Sequence, residues 1–76
     1  MTIYQFMERL TDALHENGFY CIEGHKQHIE HKNEFLLRIK CKKDNKNYNY
    51  NYILDKKLLD DITIQEIVYN LSMEAY

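Results

Sequence analysis

The chain contains no proline and only two glycines, Gly18 and Gly24, in 76 residues. Few breakers imply regular elements joined by short turns, and they leave no Gly-rich loop to cradle a phosphate. No apolar run approaches the ~20 residues that a bilayer span needs, and the N-terminal stretch lacks the pattern of a secretory signal. A soluble, cytoplasmic protein with no membrane attachment is therefore expected. Cys21 and Cys41 are the only cysteines, and they form no CxxC pair. They read as small buried thiols in a reducing compartment, a setting that does not require a disulfide between neighbouring strands. Neither has a histidine at a defined position to activate it, and strand burial would raise its pKa. Thr63 and Ser72 have structural explanations. No catalytic residue, cofactor or metal is assigned on these grounds.

What is present suffices for one small domain spanning residues 1–76. A hydrophobic fraction of 45% with seven tyrosines and three phenylalanines is enough to fold. The clearest segment is Glu34 to Leu54, EFLLRIKCKKDNKNYNYNYIL. It alternates strictly and predicts two strands around an Asp44-Asn45-Lys46 turn. Phe35, Leu37, Ile39 and Cys41 share one face with Tyr48, Tyr50, Tyr52 and Leu54. The other face carries Arg38, Lys40 and Lys42 beside Asn49 and Asn51. The Asn-Tyr alternation also has a prion-like composition, but one strand with half-sunk tyrosine rings accounts for it.

Two helices flank this hairpin. Thr2 and Gln5 have capping-box spacing, and Ile3, Phe6, Met7, Leu10, Ala13 and Leu14 follow helical periodicity up to an Asn17-Gly18 stop. Phe19 to Glu23 predicts a short first strand, and the polar stretch 24–33 a loop or frayed strand end. Residues 55–61 form a connector with Leu58 and Leu59 turned inward. Thr63 with Glu66 predicts a second capping box and Ile62 with Ile67 a hydrophobic staple, ahead of an apolar stripe of Ile64, Ile67, Val68 and Leu71. The expected architecture is α+β: α-β-β-β-α, with a three-stranded antiparallel sheet and both helices on one face.

The net charge of −2 conceals a segregation. Residues 1–37 hold three basic and six acidic side chains, residues 38–57 seven and two, and residues 58–76 none and four. Charge arranged this way bears on partners more than on the fold. Two candidate partner-binding sets follow. Glu8, Asp12 and Glu16 stack at i, i+4, i+8 on the first helix and suit a basic groove. Arg38, Lys40 and Lys42 suit an acidic or phosphate-bearing surface, and Lys43 and Lys46 could extend that set toward direct nucleic-acid contact. The tyrosines point away from Arg38 and Lys40 and cannot stack bases beside them. His25, His28 and His31, with Glu23, Glu30 or Glu34, have metal-ligating side chains, but their spacing fits neither a helix face nor a strand face.

Helix-strand-strand-strand-helix is also the order of double-stranded-RNA-binding domains, whose basic, glycine-containing start to the last helix has no counterpart in Ile62-Thr63-Ile64-Gln65-Glu66. In size, in its MTIYQFMERLTDAL helix and in its FLLRIKCKKDNKNYNYNYIL hairpin, the chain resembles small phage-encoded anti-CRISPR proteins. That resemblance implies an inhibitor that binds a host protein or nucleoprotein, such as a CRISPR effector, by steric occlusion. Asn17-Gly18-Phe19 and Gly24-His25 are similar to motifs of HicA-type mRNA interferase toxins, which would make His25 or His28 a general acid-base in RNA cleavage. A third reading is a non-catalytic homodimer joined through sheet edges. The chain is expected to be a phage or mobile-element interaction protein.

Overall fold

A computed structural model describes the backbone of residues 1–29 and 33–74 and the side chains of residues 1–21 and 33–74. The elements are α1 (Ile3–Glu16), β1 (Tyr20–Ile29), β2 (Glu34–Lys43), β3 (Lys46–Asp55), a 3-10 turn (Lys56–Leu58) and α2 (Asp61–Glu74). The strands form one antiparallel sheet in the order β1-β2-β3, as the α-β-β-β-α reading requires.

Helix α1 begins with the anticipated capping box. The Gln5 amide N–H donates to Thr2 Oγ1 (3.1 Å), and the Thr2 amide N–H donates to Gln5 Oε1 (2.9 Å). It ends in a Schellman turn, with Phe19 N–H on the Leu14 carbonyl (2.9 Å) and Gly18 N–H on the His15 carbonyl (3.0 Å). Gly18 takes φ +86, which costs glycine little. Phe19 and Leu14, the two apolar residues such a turn brings together, are both fully buried.

The hairpin closes more tightly than its sequence suggests. Asp44 and Asn45 both have positive φ (52 and 63), the signature of a two-residue I′ turn, and Lys46 already pairs with Lys43 in the ladder. Ten consecutive pairs then run to Glu34–Asp55 without a slip. The register sets Phe35 opposite Leu54, Leu37 opposite Tyr52, Ile39 opposite Tyr50 and Cys41 opposite Tyr48. Phe6, Leu10 and Leu14 of α1 and Ile64, Ile67, Val68 and Leu71 of α2 form one core with Leu37, Ile39, Cys41 and Leu54. All the sheet residues in that core share one face, so both helices cover the same side.

Three expectations need correction. The first strand runs past its expected end at Glu23 through residue 29, so of the two readings of residues 24–29, loop or frayed strand end, the structure shows strand. These mostly polar residues are held by backbone pairing with Glu34–Ile39 of β2, which needs no hydrophobic alternation. The second helix is capped by Asp60, whose Oδ1 accepts from the Thr63 N–H (2.8 Å), and not by a Thr63–Glu66 box. Thr63 is thereby buried inside the first turn, and Ile62 is 80% exposed, so it forms no staple. In the connector, Leu59 is half-buried as anticipated, but Leu58 is exposed.

Candidate functional site

Because one face of the sheet is sealed by helices, alternation forces the residues between the core positions onto the other face. Leu37, Ile39 and Cys41 are at most 3% exposed, while Arg38, Lys40 and Lys42 between them are exposed. Their side chains leave the central strand ~7 Å apart on a face that neither helix covers. Opposite them on β3 lie Asn51, Asn49 and Asn47, all exposed. The row thus offers three cations flanked by three amides, which can donate to carboxylates or phosphates. A depression of about 280 Å³ at this end of the hairpin is lined by Lys40, Asn47, Asn49, Cys41 and Tyr48.

The polarity of this face changes along the strands. Past Arg38, Leu36 pairs with Ile53 (51% exposed), and Glu34 pairs with Asp55 beyond that. Lys43 and Lys46 do not extend the cationic row. Their register places them on the helix side, where the Lys43 ammonium stands 4.8 Å from the centre of the Phe19 ring. Residue parity along each strand carries that distinction. Reading Lys43 and Lys46 together with Arg38, Lys40 and Lys42 overlooked it.

The acidic set is less unified. Glu8, Asp12 and Glu16 are all exposed on α1. Asp12 and Glu16 line a shallow groove of about 200 Å³ between the helices, with Arg9, Ala13, Asp61, Ile64 and Gln65, whereas Glu8 is not part of its wall. Arg9 bridges this groove to Asp61 (3.2 Å) and supplies a positive charge among the carboxylates. Both members of that pair are more than half exposed, so it contributes at most about 1 kcal/mol.

The tyrosines have structural partners. Tyr52 Oη donates to Glu66 (3.3 Å), and Asn70 Nδ2 donates to Tyr50 Oη (2.9 Å), so both hydroxyls tie β3 to α2. Burial first, and then the Glu66 carboxylate, raise the Tyr52 pKa. Tyr48 meets Phe19 edge-on at 6.0 Å.

Cys21 and Cys41 occupy directly opposed positions on β1 and β2 as free thiols. Burial raises the pKa of both. Cys41 is pushed up to about 11, with smaller contributions from Cys21 and Glu74, while the Thr11 hydroxyl partly offsets the rise at Cys21. Such thiols carry little thiolate at neutral pH and are weak nucleophiles. Asp60 is held below the usual carboxylate range because it accepts from Thr63.

The His25, His28 and His31 set, with Glu23 and Glu30, lies outside the described side chains. Backbone pairing nonetheless sets residue 25 across from Arg38 and residue 23 across from Lys40. The sequence reading missed several exposed apolar groups. Ile62, Tyr69 and Met73 follow helical spacing on the outer face of α2, and Tyr20, 65% exposed, pairs with Lys42 beside the cationic row. The i, i+7, i+11 spacing of the first three was available as a signal. Among the described residues, no helix is long and apolar enough to cross a membrane. No family model matches this chain, and neither a curated protein nor a solved structure is significantly similar to it.

Proposed function

We propose that this protein is a non-catalytic interaction module that docks the open face of its sheet onto an acidic or phosphate-bearing surface of a host protein or nucleoprotein, and inhibits it by occlusion. One observation carries this reading: Arg38, Lys40 and Lys42 are exposed in a row on the central strand of a face that neither helix covers. A rigid ladder holds the three side-chain bases at fixed spacing, which reduces the ordering cost on binding. The acidic set of Glu8, Asp12 and Glu16 is the weaker candidate, because Arg9 reaches into the groove that two of its members line. An inhibitor of the anti-CRISPR type, encoded by a phage or mobile element and acting on a CRISPR effector, is consistent with this mode. Affinity capture with tagged protein tests it. The Arg38→Glu/Lys40→Glu/Lys42→Glu variant should lose a stoichiometric partner that Glu8→Lys/Asp12→Lys/Glu16→Lys retains. Recovery of no partner, with the purified protein turning over RNA, would overturn it.

A second reading, an RNA-cleaving toxin using His25 or His28, has one observation in its favour. The pairing of residue 25 with Arg38 puts a candidate general acid-base on the strand position next to a cation that could hold a phosphate. His25→Ala and His28→Ala would abolish RNA cleavage under this reading and leave partner capture unchanged under the first.

A further inference from the structure

The strand order leaves two sheet edges, and they are built differently. The β1 ladder slips between Cys21 and Glu23, and the β1 sequence includes Gly24, Glu23 and Lys26. A bulge and charges are devices that keep an edge from pairing with another strand. Strand β3 has none of these across its centre. Its pairing with β2 is unbroken, and Asn47 to Leu54 includes no charge, glycine or proline.

The turn fixes which backbone groups this edge presents. A two-residue turn closes on a hydrogen bond between Lys43 and Lys46, so even-numbered residues from Lys46 to Leu54 direct their N–H and C=O toward β2. Odd-numbered residues from Asn47 to Ile53 direct theirs outward. Among the described residues, no other backbone bond reaches Lys46 to Leu54.

We infer that β3 pairs antiparallel with β3 of a second copy of this chain, about a two-fold axis beside Tyr50, giving a six-stranded sheet. The strand is complementary to itself in that arrangement. Tyr50 lies opposite its own copy and Tyr48 opposite Tyr52 of the second copy, on the helix side, where all three rings are only half-buried. Asn49 lies opposite Asn51 on the open face, so exposed amide meets exposed amide. Charge also selects the direction. The strand begins at Lys46 and ends at Asp55. Antiparallel pairing brings the cationic start of one copy beside the acidic end of the other, whereas parallel pairing would bring like ends together. No like charges oppose one another within the paired stretch. The two open faces then become continuous, with two rows of Arg38, Lys40 and Lys42 on one surface. This inference stands independently of what that surface binds.

Sedimentation equilibrium of the full chain, combined with hydrogen exchange, tests it. The mass should rise with concentration from 9.3 kDa toward twice that value. The outward amides of Asn49 and Asn51 should gain protection in parallel. Asn49→Pro removes an outward N–H and leaves the β2 ladder intact, so it should yield a monomer with an unchanged circular dichroism spectrum. Asn51→Lys should do the same without a backbone change. A constant 9.3 kDa mass, or a dimer that survives Asn51→Lys, would overturn the inference. So would a monomer whose outward amides become protected only when another protein is added, since the edge would then belong to a partner's strand.

Discussion

At the scale of single residues, burial decides both stability and reactivity. Leu37 is fully buried beneath both helices, so Leu37→Ala should cost about 2–5 kcal/mol, read as a lower urea midpoint with unchanged slope. Cys41 gives a pH signature. Its folded pKa of about 11 lies above the ordinary 9.0. Across that window the unfolded chain releases the thiol proton and the folded chain keeps it, so stability falls as pH rises. Below 9.0 both states hold the proton and the effect vanishes. Tyr52, whose pKa is also raised, adds to the loss at higher pH. Thermal melts across the alkaline range should show this decline, and Cys41→Ala should make it shallower, leaving the part due to Cys21 and Tyr52. Alkylation of Cys41 should stay slow at neutral pH for the same reason.

At the scale of elements, what could be read from the sequence depended on whether local signals and burial agreed. The β2–β3 hairpin was legible because every second residue is apolar or aromatic and the turn residues tolerate positive φ. Residues 24–29 were not, because they become a strand through pairing with β2 while carrying no alternation of their own. At the start of α2 the sequence pointed to Thr63 as the cap, while Asp60, three residues earlier, is equally able to accept from a first-turn amide. Asp60 prevails, and this places Ile64, Ile67, Val68 and Leu71 inward with Thr63 beside them. The stop of α1 gives a sharper prediction. A Cβ at residue 18 would meet only the Lys43 side chain at an ordinary 3.5 Å, so Gly18→Ala should fail through backbone strain and not through a clash. Its cost should be about 1–2 kcal/mol, measured by denaturant unfolding.

At the scale of the whole molecule, one alternation rule separates the basic surface from the acidic one. The same pattern that sinks Leu37, Ile39 and Cys41 beneath the helices leaves Arg38, Lys40 and Lys42 on the opposite side from Asp12 and Glu16. That much of the candidate site could be read from sequence. The Arg9–Asp61 bridge and the Phe19 ring beneath Lys43 could not, because both depend on how elements from distant parts of the chain come together, although parity alone already takes Lys43 off the cationic row. A protein of net charge −2 would ordinarily be repelled by a polyanion. The measurement that bears most directly on the open-face proposal is retention on immobilised heparin in low salt. The wild-type chain should be retained and released as salt rises. Arg38→Gln/Lys40→Gln/Lys42→Gln should flow through, and Glu8→Gln/Asp12→Gln/Glu16→Gln should bind at least as well as wild type. A wild-type chain that flows through with the triple Gln variant of β2 would contradict the claim that this face is the binding surface.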